Sequence, residues 1–233
     1  MLRKEAMGKD KLRKFAENKT FDHVIEPEVK AFIDNDHPKK GKWKSEVFGN
    51  ENPITLELGC GKGEYTVGLA KRFPERNFIG VDIKGARIWR GAKTVEEQNI
   101  ENVAFLRTKI EFIDRFFEKN EVDEIWLTFS DPQPKDDKGS KRLSSPKFLE
   151  RYRKFVKPGG IINVKTDSRL FYDYTLEVVE EEGLELLIHN DNIYEGFLST
   201  LDQEMQDILS IRTFYEQKWL GEGIPIKYIK FKL

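Results

Sequence analysis

ITLELGCGKGEYTVGLAKR, residues 54–72, is the most informative stretch of the sequence for the fold. It begins with the short apolar run ITLEL, turns through three glycines, and continues as a helix-like segment over residues 64–72. In an open parallel sheet, a strand commonly ends in a glycine-rich turn that leads into a helix and binds a nucleotide. The stretch therefore predicts an α/β fold with a nucleotide site above the turn formed by Gly59, Gly61 and Gly63.

The same alternation continues along the rest of the chain. Helix-like segments cover residues 86–98, 146–156 and 170–181, and they lie among further apolar runs, which are NFIGVD (77–82), NVAFL (102–106), EIWLTF (124–129), GIINVKT (160–166), LELLIH (184–189) and IKYIKFKL (226–233). Strands that alternate with helices predict a mostly parallel sheet with helices on both faces. Seven strands resemble the Rossmann-like sheet of class I methyltransferases more than a six-stranded dinucleotide fold.

Composition limits the class of protein. The chain has 233 residues, of which 38% are hydrophobic and 35% charged, as expected for one globular α/β domain. Apolar runs stay far below the roughly 18 residues of a membrane span, and the N-terminus lacks the apolar centre of a signal peptide, so we expect a cytoplasmic protein. The single cysteine and three scattered histidines predict neither an internal disulfide nor a metal site.

Charge is unevenly distributed along the chain. Residues 135–157 contain nine Lys/Arg against three Asp/Glu, whereas residues 176–216 contain eleven acidic residues against Arg212 alone. Two interpretations stay open at this point. One is a basic face that binds an acidic partner such as nucleic acid, and the other is an ordinary set of solvated helix surfaces.

Three acidic residues indicate which ligand the glycine turn binds. The dinucleotide fingerprint requires a glycine at position 64, where this chain has Glu64. A carboxylate there disfavours a pyrophosphate, while the ammonium and sulfonium of S-adenosylmethionine tolerate nearby acids such as Glu57. Asp82 ends the second strand, where an acid accepts hydrogen bonds from ribose hydroxyls. The pattern favours S-adenosylmethionine as the cofactor.

The stretch LTFSDPQPKDDKGSKRL, residues 127–143, predicts a second part of the site. Asp131 follows a strand, so its carboxylate is expected beside the methyl donor, and Pro132 and Pro134 restrict its backbone. A proline-rich surface turn capped by Asp131 is the alternative. Four basic side chains surround a flexible Gly-Ser pair, which suits a mobile arm that contacts phosphates, or else a solvated loop; they are Lys135, Lys138, Lys141 and Arg142.

Taken together, ELGCGKG, GVD, FSDPQPKDDKGSKRL, KTD and TFYE resemble the bacterial tRNA guanine-N7 methyltransferase family over about residues 50–233. The resemblance implies a class I enzyme that transfers a methyl group from S-adenosylmethionine to N7 of the guanosine at position 46, in the variable loop of tRNA. It implies tRNA as partner, with no obligatory protein partner and no membrane. Residues 51–233 would form the methyltransferase domain, and residues 1–50, which look irregular, an extension that is flexible or contacts tRNA.

The resemblance also implies roles for matching residues. Cofactor binding falls to Glu57, Gly59, Gly61, Gly63, Asp82, Lys109, Ile110 and Asp131, of which Asp131 is also catalytic. Substrate binding falls to Lys135, Asp167, Thr213, Phe214, Tyr215 and Glu216. The chain departs from the family at Gln133, where a tryptophan is frequent, at Ser130, where a proline is frequent, and at Lys109, where an acid or amide is common near the adenine.

Guanine N7 carries an exposed lone pair, so its methylation requires alignment rather than proton removal. We hypothesise that Asp131 and either Asp167 or Glu216 accept hydrogen bonds from guanine N1–H and N2–H₂. Thr213 and Glu216 also have the spacing of a helix capping box, and the aromatic residues Phe214, Tyr215 and Trp219 are expected in the core. Two other functions stay open, a catalytically silent tRNA-binding module and a class I methyltransferase with another nucleic-acid target.

Overall fold

A computed structural model describes the backbone of residues 2–32 and 34–233, and the side chains of residues 10–30, 32, 34–135 and 139–233. Within these residues one sheet contains β1 (Val24–Ile25), β2 (Ile54–Leu58), β3 (Asn77–Asp82), β4 (Val103–Arg107), β5 (Val122–Thr128), β6 (Val156–Thr166), β7 (Leu186–Asn190) and β8 (Lys227–Lys232). The strand order is β1-β4-β3-β2-β5-β6-β8-β7. Of these strands, β8 runs antiparallel to both of its neighbours, β6 and β7, and all the other neighbouring pairs are parallel. This confirms the predicted mostly parallel sheet, and β1 is an eighth strand beyond the seven predicted.

Helices cover both faces of the sheet. They are α1 (Leu2–Asn18), α2 (Glu64–Arg72), α3 (Gly85–Glu97), α4 (Pro146–Tyr152), α5 (Arg169–Glu181), α6 (Gln203–Leu209) and α7 (Phe214–Gly221). Successive side chains of a strand point to opposite faces. Accordingly, Val103 and Phe105 of β4 pack with α2 and α3, while Ala104 and Leu106 pack in the cluster that includes α4 and α5. The helix predicted over residues 146–156 is shorter, because the chain from Val156 pairs with β5.

The strand order places a cleft at the centre of the sheet. β2 lies between β3 and β5, so the chain leaves β2 toward one side and returns on the other. At such a switch point the loops after neighbouring strands separate and leave a crevice. The glycine turn closes tightly beneath it: Gly63 has φ +70°, and a Cβ there would lie 2.7 Å from the Phe105 ring. Gly63 is therefore required for the close approach of α2 to the sheet.

The N-terminal region is more regular than its sequence suggests. Helix α1 packs against α3, β1 pairs with β4, and Phe32 and Trp43 are buried in the main core. The Trp43 indole also donates a hydrogen bond of 2.8 Å to the carbonyl of Phe116. The division of the chain at residue 50 stays a prediction. None of the helices described here has the length and apolar character needed to cross a bilayer.

Candidate active site

A cleft of about 680 Å³ opens at the carboxyl ends of the central strands. Of the predicted site residues, it is lined by Gly59, Asp82, Lys109, Ile110, Asp131, Lys141, Asp167 and Tyr215. A smaller cavity of about 90 Å³ adjoins it and is lined by Glu57, Gly59, Gly61, Thr213, Phe214 and Tyr215, among others. Residues predicted from six separate stretches of sequence therefore meet in one place.

The glycine turn leaves open space above its backbone. Gly59 and Gly61 have φ of +85° and +57°, and a Cβ built on either would meet no atom within 4 Å. Asp82 fixes the turn, since its carboxylate accepts hydrogen bonds from the Gly61 N–H at 2.9 Å and the Lys84 N–H at 2.7 Å. Each carboxylate oxygen has a second lone pair, so Asp82 keeps acceptor capacity for a ligand hydroxyl.

Glu57 lies at the bottom of the smaller cavity. Its side chain is 3% exposed, and its carboxylate accepts hydrogen bonds from the Thr66 N–H at 2.8 Å and from the hydroxyls of Thr66 and Thr128. Burial raises the pKa of Glu57 to about 7, against the opposing effect of these hydrogen bonds. Glu57 thus joins β2 to β5 and to the first turn of α2, beneath the predicted donor site.

Asp131 stands at the lip of the large cleft on a constrained loop. Its carboxylate accepts a hydrogen bond of 3.0 Å from the Gln133 N–H. Phe129 and Gln133, which lie two residues before and after Asp131, have φ of +50° and +46°. Residues other than glycine rarely adopt this backbone region. Such backbone persists only where the surroundings fix it. The loop therefore presents Asp131 in a defined position.

Arg142 holds this loop from behind. Its side chain is 7% exposed, and its guanidinium donates to the carbonyls of Pro132 at 3.0 Å and Gln133 at 3.1 Å. It also stacks 4.3 Å from the centre of the Tyr174 ring. In this structure the Arg142 guanidinium is engaged by the loop itself, and its contact with the tRNA backbone stays a prediction.

The other basic residues of the loop are placed differently. Lys135 and Lys141 are exposed, and Lys141 lines the cleft. The side chain of Lys138 lies outside the described residues. Residues Asp136–Lys141 form a short 3₁₀ helix, where the sequence predicts a flexible arm. Contacts of Lys135 and Lys141 with phosphate stay a prediction.

The capping role of Thr213 is confirmed. Its hydroxyl accepts a hydrogen bond of 3.2 Å from the Glu216 N–H at the start of α7. The Glu216 side chain is fully buried and does not reach the cleft. Its carboxylate pairs with the Lys165 ammonium at 2.7 Å and accepts a hydrogen bond of 2.6 Å from the Tyr194 hydroxyl. Both Glu216 oxygens are engaged inside the protein in this structure, and the contact of Glu216 with guanine stays a prediction.

Lys165 is a central residue that sequence reasoning missed. It lies near the end of β6, fully buried, and besides Glu216 its ammonium contacts the carbonyls of Leu209 at 2.7 Å and Ile211 at 3.0 Å. Burial lowers its pKa to about 8, and Glu216 opposes that shift. The network ties β6 to the segment that leads into α7. The only sequence signal was a lysine inside the apolar run GIINVKT.

Two aromatic residues predicted for the core lie at the surface. Phe214 and Tyr215 are 53% and 44% exposed, because they begin α7 at the mouth of the smaller cavity. The Phe214 N–H donates to the Glu64 carboxylate at 3.0 Å, which attaches this turn to the start of α2. Trp219 is half-buried and packs against the core.

Asp167 and Ile83 complete the large cleft. Asp167 is half-buried, and desolvation raises its pKa. Ile83, which sequence reasoning missed, is 47% exposed and lines the cleft. Its position directly after the acid of β3 is the signal that could have identified it. The cleft thus combines carboxylates with the exposed apolar side chain of Ile83.

Comparisons with known proteins agree with this arrangement. Residues 51–229 match the sequence model of a family described as "Putative methyltransferase". The tRNA (guanine-N(7)-)-methyltransferase of Bacteroides thetaiotaomicron is 53% identical over 227 residues, which cover 97% of this chain and 87% of that protein. The protein of the same name from Christiangramia forsetii is 49% identical, with 97% and 99% of the two chains covered.

Solved structures show the same fold at lower identity. The 16S rRNA methyltransferase KamB superposes with a TM-score of 0.59 and 14% identity, over 81% of this chain and 91% of its own. The methyltransferase fold is therefore shared, and the identity to the curated relatives extends over nearly the whole chain. This chain belongs to the tRNA (guanine-N(7)-)-methyltransferase family.

Proposed function

We propose that this chain methylates N7 of the variable-loop guanosine at position 46 of tRNA, with S-adenosylmethionine as the methyl donor. The observation that carries the proposal is one cleft in which Asp82, Asp131 and Asp167 meet beside an open glycine turn. The names of relatives about half identical to this chain support the reaction and the substrate.

The residues present fit the donor. The open space above Gly59 and Gly61 can hold the methionine part of S-adenosylmethionine. Asp82 offers acceptors to the two hydroxyls of its ribose. The exposed side chain of Ile83 suits one face of its adenine. Glu64 begins α2 where a pyrophosphate would otherwise bind. S-adenosylmethionine, when bound, supplies a methyl group attached to a positively charged sulfur. On transfer of the methyl to N7, the electron pair of the broken bond stays on that sulfur.

The acceptor side follows from two further carboxylates of the cleft. Asp131 and Asp167 both line it, and each can accept a hydrogen bond from the N1–H or N2–H₂ edge of guanine. The negative charge of Asp131 also stabilises the positive charge that N7 alkylation places on the ring. The exposed ring of Tyr215 offers a stacking surface in the same cleft as Gln133, the position at which the family frequently has tryptophan. Catalysis then rests on alignment and electrostatics.

The decisive experiment is transfer of labelled methyl to an unmodified tRNA transcript and to a matched transcript with adenosine at position 46. Incorporation into the first alone is the expected result. Equal incorporation into both would indicate another target nucleotide. Absence of incorporation into both, with donor binding intact by calorimetry, would indicate another substrate, whereas a chain that binds tRNA but neither incorporates methyl nor binds the donor would be a silent tRNA-binding module.

Arg142→Gln should lower the rate of methyl transfer by about 10–100-fold, because a misplaced catalytic group costs rate even when it is present. The variant loses the guanidinium that donates hydrogen bonds to the carbonyls of Pro132 and Gln133. Steady-state kinetics beside donor calorimetry would check this. The control is Arg153→Gln, which removes an exposed ion pair with Glu182. A rate that changes no more in Arg142→Gln than in this control would contradict the bracing role.

A further inference from the structure

Three basic side chains line the cavities on the side away from the Asp131 loop. Lys62 belongs to the glycine turn after β2, and Lys84 and Arg87 lie at the start of α3, just after β3. Lys84 and Arg87 line the large cleft, and Lys62 and Arg87 line the smaller cavity. All three are exposed. They place positive charge at the entrance of the site.

These charges have no carboxylate partner. Among the described residues, Lys62, Lys84 and Arg87 take part in no ion pair, while further along α3 and at the end of β4 the basic residues Arg90, Lys93 and Arg107 pair with Glu97, Glu17 and Glu26. The nearby acids Asp82 and Glu64 accept hydrogen bonds from backbone N–H groups, and among the described side chains neither forms an ion pair with Lys62, Lys84 or Arg87. The charge on the three residues is therefore available to a ligand.

The three residues lie across the cleft from the basic residues of the loop. In the sheet, β2 has β3 on one side and β5 on the other. Lys135 and Lys141 follow β5, whereas Lys62, Lys84 and Arg87 follow β2 and β3. The Lys62 ammonium lies 4.4 Å from the centre of the Phe214 ring, which holds it at the mouth of the smaller cavity. The opening thus has positive charge on both sides.

We infer that Lys62, Lys84 and Arg87 form a second phosphate-binding rim, which holds the RNA backbone on the side of the target nucleotide opposite Lys135 and Lys141. The inference rests on the proposed function. Enzymes that act on a base generally turn its nucleotide out of the base stack into the site. The phosphates on its two sides then lie on either side of the opening, where each meets one set of cations.

The salt dependence of tRNA binding tests the rim directly. The triple variant Lys62→Ala, Lys84→Ala, Arg87→Ala should flatten the slope of log affinity against log salt by about one for each phosphate that the protein no longer neutralises. Donor affinity by calorimetry should stay within about twofold, since exposed substitutions change little else. The matched control is the pair Lys71→Ala, Lys119→Ala, which removes exposed lysines away from the cavities and should leave the slope unchanged.

Three results would overturn the rim in distinguishable ways. If the slope is unchanged in the triple variant and the unaltered chain methylates tRNA normally, the phosphate-binding rim is rejected and the proposed function stands. An unchanged slope with a large loss of donor affinity assigns the cations to the carboxylate of S-adenosylmethionine instead. An unaltered chain that neither binds nor methylates tRNA overturns the proposed function itself. Combining the triple variant with Lys135→Ala, Lys141→Ala should add the two slope changes, as independent sites do.

Discussion

Asp131→Asn is expected to lower the rate of methyl transfer by about 10²–10³-fold, the usual cost of removing one electrostatic group from a transition state. The asparagine keeps a side-chain oxygen that can accept the Gln133 N–H, so the loop should keep its shape. What is lost is the negative charge beside the ring that becomes positive. Donor binding should fall much less, because Asp82 and the glycine turn are unchanged.

Single-turnover methyl transfer and donor calorimetry on the same preparation would measure both effects. Asp173→Asn is the matched control, since it removes a carboxylate from an exposed ion pair with Arg169 on α5 and should change the rate by no more than about twofold. Equal losses of rate and donor affinity in Asp131→Asn would place this residue in donor binding alone.

Glu216→Leu is expected to lower the free energy of unfolding by about 3–5 kcal/mol, the cost of leaving one charge of a buried pair without its partner. The Lys165 ammonium would stay fully buried with only the carbonyls of Leu209 and Ile211 as acceptors. The double variant Lys165→Met, Glu216→Leu should recover most of the loss, because apolar side chains of similar volume replace both charges.

Urea unfolding of the two single variants and the double variant would provide these free energies. The control is Arg153→Ala, whose ion pair with Glu182 is exposed and should contribute no more than about 1 kcal/mol. If Glu216→Leu cost no more than Arg153→Ala, the pair would not be a supporting contact of α7. An equally large destabilisation of the double variant would show that the specific geometry of the pair is required.

Much of the sheet follows from local sequence. The bounds of β2 and β3 agree with the apolar runs ITLEL and NFIGVD, because strands buried on both faces read as continuous apolar stretches. Helix α1 and strand β1 were missed for the opposite reason. The end of α1 is fixed by contacts with distant residues, such as the hydrogen bond of 3.0 Å from Asn18 to the Gly85 carbonyl. Propensity and periodicity carry no signal for such contacts.

The site residues also divide into those that local sequence predicts and those whose surroundings depend on tertiary contacts. Asp82 and Asp131 were found from their positions after strands, a rule that follows from sheet topology. The side-chain partners of Arg142 and Glu216 could not be predicted, because they are determined by tertiary packing. Glu216 meets Lys165 across 51 positions of sequence, and a fully buried ion pair reads in sequence like two surface charges. Resemblance pointed to segments that line the two cavities, but it did not show which side chains face them.

The short strand β1 has a consequence for handling the protein. Val24 and Ile25 occupy the outer edge of β4 beside Phe105 and Leu106. A chain shortened to begin at residue 51 would present that edge, with its unpaired backbone groups and apolar side chains, to other molecules. Unprotected edges of this kind recruit strands from neighbouring chains and aggregate. The N-terminal segment therefore contributes to solubility as well as to the fold.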